Sequence, residues 1–516
     1  MGAWSSFTWT GLGRLEGSHL PDVARGPRWK GPAAVLLLLV ATGGIFANTL
    51  GNGYVWDDFD ILVDNPQTHD LGRLGEVLLS PDQKPPYYRP LPRASFVVEI
   101  ALFGQDPRVG HAVSLTWHLA AVVLLFLWAQ VLFRRVAPAF AVALLWAVHP
   151  VAAEAVGFIS VRTGTMAVAL SLATLLAFWR GVRHGGWGWL AFAGVLFLAA
   201  LGSKEQAGAV LPLAAGLLWL APRMGEANLR GRTPWALLPL GLGLGGYLVA
   251  RVAALGSLSG DVPRVVGQGA AMGVGDAVLA AGWYLRQLLW PTELNIVHNL
   301  HAAPTAVLVT GALALLAATV WSIRRPTPAA LFGVAWFWLT FAPTVQWVAL
   351  PSAALADRQA YIMGVGLACL VVQFGVALCD LIPVRWTAAL AAVCVSAAAC
   401  ALSVRTIQRN SDFADNGHLY AASVAVRPSA LAHLNLGNAA QRAGDLDTAR
   451  EHWEAAVALD PRDADALTQL GVLHARAGDF PTARDLFRRA LEAFPGHPAA
   501  RGNLERVERR LERVRD

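Results

Sequence analysis

Residues 112–133, AVSLTWHLAAVVLLFLWAQVLF, run without a charged side chain and stop on Arg134-Arg135. At a helical rise of about 1.5 Å per residue, a block of this length crosses the roughly 30 Å hydrocarbon core of a bilayer. Working outward, blocks of the same character recur near 33–50, 138–153, 163–179, 187–201, 205–221, 234–253, 304–323, 328–347, 360–379 and 386–403. They predict an all-α fold, a polytopic helical membrane domain over 32–404 with about eleven transmembrane helices. The whole chain agrees: it is 55% hydrophobic and 15% charged, with a mean hydropathy of +0.46, too apolar for a water-soluble protein of its size. Lipid must solvate much of it.

The formal charge of +6 looks like a nucleic-acid signal only until it is mapped. Arg14, Arg25, Arg28 and Lys30, then Arg134-Arg135, Arg180, Arg183, Arg223, Arg230, Arg232, Arg324-Arg325 and Arg385 all fall in gaps at one set of helix ends. By the positive-inside rule those ends are cytoplasmic. Residues 1–31 are then a cytoplasmic tail, and the loop 51–111, the turns near 154–162 and 202–205, the 254–303 stretch, the 348–359 turn and everything after about 404 lie on the opposite face. Two stretches there, 72–79 and 276–290 with Trp283, Tyr284, Leu288 and Trp290, are expected to lie in the interface with their aromatics at headgroup depth. Cys369, Cys379, Cys394 and Cys400 all sit in the last two blocks, as small apolar packers rather than a disulfide framework.

Beyond the membrane part, 411–516 reads as a soluble module. Laying 430–463 over 464–497 aligns Leu436-Gly437 with Leu470-Gly471, Ala449 with Ala483, Trp453 with Phe487, Ala456 with Ala490 and Pro461 with Pro495. The 34-residue period is that of the tetratricopeptide repeat, a helical hairpin whose small residues admit close helix approach around one aromatic. A degenerate helix at 412–428 and a charged helix at 498–514 complete a short α-solenoid. Such a module serves either as a structural lid or as a groove for extended polypeptide.

Chemistry is concentrated on the non-cytoplasmic side. Asp57 and Asp58 follow the first span directly, between Trp56 and Phe59. Adjacent carboxylates at a water–lipid boundary suit a general base, because burial and mutual repulsion raise a pKa toward neutrality. On their own they fit a solvated acidic turn better. Arg89, Arg162, Lys204 and Arg358, with Glu154, Glu205, His149 and Tyr361 nearby in sequence, stand at the same helix ends. Cations there run against the topological bias, so each needs a carboxylate partner, such as Glu205 for Lys204, or a bound anion such as a lipid phosphate. His111, His118, His149 and His298 have no metal-ligand spacing, and no metal site is expected. No phosphate-cradling glycine loop, nucleophile elbow or transporter-like internal repeat is recognisable.

Through Trp56-Asp57-Asp58, Tyr88-Arg89-Pro90-Leu91, Leu102-Phe103-Gly104, His111, His118, Ala147-Val148-His149-Pro150-Val151, Glu154-Ala155-Val156, Arg162, Lys204-Glu205, Asp357-Arg358, Tyr361 and the repeats, the chain resembles the transmembrane and tetratricopeptide-repeat protein O-mannosyltransferases of the lipid-donor GT-C class. The resemblance implies a polyisoprenyl-phosphate sugar as donor, with mannose foremost, no tightly bound cofactor, and a Ser or Thr hydroxyl of a polypeptide as acceptor. It also implies a first-loop carboxylate as base, and it favours the first of the pair. Two departures stand out: Thr163 replaces the acid expected after Arg162, and the repeat array is short. A non-enzymatic membrane scaffold and a transporter or flippase of lipid-linked sugars are the competing classes. Low Lys with high Ala, Gly and Arg suggests a bacterial inner membrane with a periplasmic site; in a eukaryote the counterpart is the endoplasmic-reticulum membrane with a lumenal one.

Overall fold

The computed structural model describes residues 30–82, 87–224, 233–258, 273–296, 298, 300, 303–345, 355–382 and 385–515. The expectations for residues 1–29, Arg230 and Arg232 lie outside them. After α1 (Lys30–Phe46) the chain makes short turns and a single-turn helix, α2 (Leu74–Leu79), before α3 (Pro90–Phe103) and α4 (Pro107–Phe133). There follow α5 (Val136–Ala147), the short α6 (Ala152–Gly157), α7 (Thr163–His184), α8 (Trp187–Leu201), α9 (Val210–Leu220), the one-turn α10 (Thr233–Ala236) and α11 (Leu238–Leu255). Next come α12 (Val274–Leu289), α13 (Thr305–Arg324), α14 (Pro328–Phe341), α15 (Asp357–Leu381) and α16 (Thr387–Ser411). The repeat module comprises α17 (Asn416–Val426), α18 (Ala430–Arg442), α19 (Leu446–Leu459), α20 (Ala464–Arg476), α21 (Phe480–Ala493) and α22 (Pro498–Arg515).

The protein is all-α, a polytopic membrane domain followed by tetratricopeptide-type hairpins. Among the described residues 7 helices are long and apolar enough to cross a bilayer, and shorter apolar helices at Val136–Ala147, Trp187–Leu201, Glu205–Leu220 and Pro328–Thr344 fall on the remaining apolar blocks. Their outward faces stay apolar: Leu36, Val40, Val249, Leu313, Leu390 and Val393 are all exposed, as lipid-facing positions should be. Inward, Leu125, Phe126 and Trp128 of α4 meet Val142 and Trp146 of α5 and Leu172 and Phe178 of α7 in one continuous core. Where α14 crosses α15, a Cβ on Gly366 would stand 2.5 Å from the Gly333 carbonyl oxygen, so only glycine permits the backbones to touch.

Two expectations are corrected. Trp283 and Tyr284 are buried within the protein instead of being presented to lipid, because α12 packs along α13 and turns them onto His298 and Phe341, with ring centroids 4.4 and 6.0 Å apart. Trp290 alone is exposed as expected. Of the four free cysteines only Cys369 is buried, while Cys394 and Cys400 lie on the exposed face of α16.

In the repeats, each hairpin closes on its aromatic. A Cβ at Gly437 would come within 2.5 Å of the Trp453 ring, and one at Gly471 within 2.6 Å of Phe487. Ser429, Asp445, Asp463 and Asp479 cap α18 to α21 by accepting the N–H three residues on. The module is not a pendant. Leu419 and Tyr420 of α17 and Ala432 of α18 share a core with Val55, Phe158 and Ile296 of the membrane domain.

Candidate active site

Site building starts at the exit of α1. The Gly53 N–H donates to the Ala414 carbonyl at 2.8 Å, and the Trp56 N–H donates to Asn416 Oδ1 at 2.8 Å, so the first loop is stitched to the segment leading into α17. Trp56 has φ +45°, left-handed backbone that a bulky residue rarely adopts. The two following carboxylates then part company. Asp58 turns inward, fully buried, and accepts the Ser160 N–H at 2.7 Å and the Val55 N–H at 3.1 Å. Burial pushes its carboxyl up to about 7 even against those hydrogen bonds. Asp57 stays half-buried, and its charge acts on Arg358 and Tyr420.

Arg358 reaches this region from the first turn of α15. Its Nη1 donates to Glu154 Oε1 at 2.7 Å while its backbone N–H donates to Glu154 Oε2 at 2.9 Å, so one buried carboxylate both pairs the guanidinium and caps the helix. The guanidinium carbon lies 6.0 Å from the centre of the Trp56 ring. Asp357, beside it, faces the other way and accepts from the Asn295 N–H at 2.8 Å and pairs with His298 Nε2 at 2.9 Å.

Arg89 precedes α3 and holds Glu205 Oε2 through Nε at 3.1 Å and Nη2 at 2.9 Å, while its plane covers Tyr87 at 4.2 Å. Burial works against its charge, yet the Glu205 and Asp82 carboxylates outweigh that and hold it protonated. Glu205 is shared with Arg251, whose Nη1 is 3.7 Å from Oε1. Lys204 was expected to pair with Glu205 and does not: its backbone is extended (φ −162°, ψ 140°), so the neighbouring side chains leave on opposite faces. Lys204 is 3% exposed as a residue, and among the described residues its ammonium makes no hydrogen bond or close ion pair, although the Glu205 and Glu154 carboxylates act on it at longer range. Burial, with the charges of Arg89 and Arg358 adding to it, lowers its pKa to about 7.

The structure therefore brings Asp57, Arg89, Lys204, Glu205, Glu154 and Arg358 into one electrostatic neighbourhood, with Tyr87 beside both arginines. Other sequence candidates lie elsewhere. Arg162 is wholly enclosed: it pairs with Glu99 at 2.8 Å and donates to Ser114 Oγ, Ser95 Oγ and the Gly110 carbonyl, which makes it an internal clamp between α3, α4 and α7. Tyr361 sits in the core, its hydroxyl 3.0 Å from His118 Nδ1. His149 pairs with the Leu288 carbonyl at 3.0 Å. Among the described residues no group of three or more His, Cys, Asp or Glu is arranged to hold a metal ion. Glu99 escaped the sequence reading although a lone acid inside an apolar helix was a usable signal. Asn416 and the Trp56 backbone carried none.

A family model described as dolichyl-phosphate-mannose-protein mannosyltransferase matches residues 88–244, and a tetratricopeptide-repeat model matches 434–498. Curated relatives include the human protein O-mannosyl-transferase TMTC1, 30% identical over 33% of this chain and 20% of that protein. Another is the Caenorhabditis elegans protein O-mannosyl-transferase F38B6.6, 27% identical over 42% of this chain and 32% of that protein. The chain spans less than a third of the length of either relative. Among solved structures, ArnT from Cupriavidus metallidurans bound to undecaprenyl phosphate is similar at 17% identity and a TM-score of 0.40, over 85% of this chain and 80% of that one. An Archaeoglobus fulgidus oligosaccharyltransferase tethered with an acceptor peptide is similar at 14% identity and a TM-score of 0.45, over 74% and 55%. The resemblance read from the motifs is thus borne out by the mannosyltransferase and repeat models and by the relatives named O-mannosyl-transferases.

Proposed function

From this kinship with the protein O-mannosyl-transferases we propose that the chain is an inverting glycosyltransferase. It moves a sugar, mannose in the first instance, from a polyisoprenyl-phosphate donor to a Ser or Thr hydroxyl of a polypeptide. In this reading an Asp57 carboxylate oxygen removes the acceptor hydroxyl proton as the hydroxyl oxygen attacks the anomeric carbon. The bond from anomeric carbon to phosphate oxygen breaks, and its electron pair passes to the departing lipid phosphate. Arg89, Lys204 and Arg358 stabilise that charge. Glu205 and Glu154 hold the two arginines in place, and Asp58 anchors the loop rather than reacting.

The observation that carries the reading is Lys204, a buried residue under the charges of Arg89 and Arg358 whose ammonium has no hydrogen-bonded or closely paired anion among the described residues, the Glu205 and Glu154 carboxylates acting on it only at longer range. Such a cation is costly to keep unless an anion arrives during function. A phosphate on a lipid that enters sideways from the bilayer is the matching anion. The Arg/Lys distribution supports a site and repeats on the non-cytoplasmic face, periplasmic in a bacterium and lumenal in a eukaryote. A topology reporter fused after Asp516 should be active only there. The direct test incubates the purified protein with polyprenyl-phosphate mannose and with other polyprenyl-phosphate sugars, together with a Ser/Thr-rich polypeptide. Consumption of the mannose donor with glycosylation of the polypeptide is expected. Donor translocation without transfer would favour a flippase, and no donor use at all a scaffold.

A further inference from the structure

Between the proposed base and the repeat module runs a set of contacts that a merely tethered domain does not need. Trp56, the residue before Asp57, is held at φ +45°, where a β-carbon clashes with its own backbone and the surroundings must over-determine the conformation. Those surroundings are largely α17. Asn416 Oδ1 accepts the Trp56 N–H at 2.8 Å. The Trp56 ring lies between Phe158, stacked at 6.0 Å with planes 15° apart, and Tyr420, edge-on at 6.4 Å. The same helix also reaches the cation side. Ser423 Oγ donates to Asn295 Oδ1 at 2.6 Å, and the Asn295 N–H donates to Asp357, the residue before Arg358. One short helix of the repeat module therefore touches the backbone next to Asp57 and the loop that contacts Asp357, the neighbour of Arg358.

We propose that α17 is an integral part of the active site and that Asn416 is a positioning residue, which fixes the aim of Asp57 by holding Trp56 in its left-handed conformation. The inference rests on the glycosyltransferase reading above. Asn416 need not touch donor or acceptor. With its acceptor oxygen removed, Trp56 relaxes toward ordinary backbone and swings Asp57 off the line of the acceptor hydroxyl, where small misplacement is expensive in rate.

The test uses the full chain in nanodiscs, with polyprenyl-phosphate mannose as donor, and compares Asn416→Leu, Asn416→Asp and the parent. Asn416→Leu removes the acceptor oxygen at similar volume, and Asn416→Asp keeps it. We expect Asn416→Leu to lower kcat about 10- to 100-fold while donor Kd and acceptor KM stay within about twofold of the parent, and Asn416→Asp to recover most of the rate. Parental kcat in Asn416→Leu would overturn the proposal. So would a joint loss of donor binding and transfer that Asn416→Asp shares, since that is the behaviour of a fold-stabilising contact. Absence of transfer by the parent itself would overturn the glycosyltransferase reading and this inference with it, an outcome distinguishable from failure at Asn416 alone.

Discussion

Replacing Lys204 with Met should make the empty protein more stable and the donor complex weaker, an unusual pair of effects for one substitution. Lys204 is 3% exposed, its ammonium has no hydrogen bond or close ion pair among the described residues, and the fields of Arg89 and Arg358 on it outweigh those of Glu205 and Glu154. Its pKa falls from 10.5 to about 7, which at 1.36 kcal/mol per pK unit sets an upper bound of about 5 kcal/mol on the penalty of keeping it charged in the folded state. Below about pH 7 that penalty is present in full. Between 7 and 10.5 the unfolded chain holds a proton that the folded chain has released, so parental stability rises with pH and the advantage of Lys204→Met shrinks. A bound phosphate reverses the balance by supplying the missing counter-charge, a charge-assisted contact of about 1.5–3 kcal/mol, or roughly 10- to 150-fold in affinity. Above about pH 7 the parent must also take up a proton to bind, so its donor affinity should fall by up to about tenfold per pH unit, and that of Lys204→Met should not. Thermal unfolding in detergent at pH 6.5 and 9.5, with donor binding by calorimetry at the same values, reads all three effects. A Lys204→Met protein that is less stable at pH 6.5 and binds donor like the parent would refute the reasoning.

Arg89→Ala should weaken donor binding by about 1.5–3 kcal/mol, and Arg89→Lys should restore only part of it because the fork onto Glu205 Oε2 is lost; titration with donor checks both. Asp58→Asn leaves one of two backbone N–H groups facing an amide donor, so it should cost about 1–3 kcal/mol in chemical unfolding. Because the Asp58 carboxyl is raised from 3.8 to about 7, the parent should also lose stability as pH rises through that window, a slope the variant lacks. Gly437→Ala drives a methyl into the Trp453 ring at 2.5 Å and should destabilise the first repeat by about 1–3 kcal/mol, read by loss of the near-ultraviolet tryptophan signal at lower temperature.

The helices were legible in the sequence because their signals are local. An apolar block such as 112–133 needs no partner to be recognised, and the 34-residue register of Gly437 with Gly471 reports a contact made inside each hairpin. The ion pairs were not, since they join residues far apart in the chain: Arg89 meets Glu205 and Arg358 meets Glu154. Sequence proximity even misled. Lys204 and Glu205 are adjacent yet diverge because the backbone between them is extended, and Asp57 and Asp58 differ in burial because Asp58 is drawn in by the Ser160 N–H. Arg162 stood among the expected phosphate ligands, but a buried acid from α3, Glu99, occupies it instead. The role of α17 had no sequence signature, because an unusual φ at Trp56 leaves no trace in residue type.

The central claim is that Asp57 takes the acceptor proton. Asp57→Asn keeps the size and polarity of the side chain and removes its basicity, so the most direct measurement is single-turnover sugar transfer by this variant alongside donor binding. Loss of general-base catalysis predicts a rate about 10²- to 10⁴-fold below the parent, with donor affinity nearly unchanged because the proton removed belongs to the acceptor. Asp58→Asn should fall much less once folded. Transfer by Asp57→Asn at close to the parental rate would contradict the account.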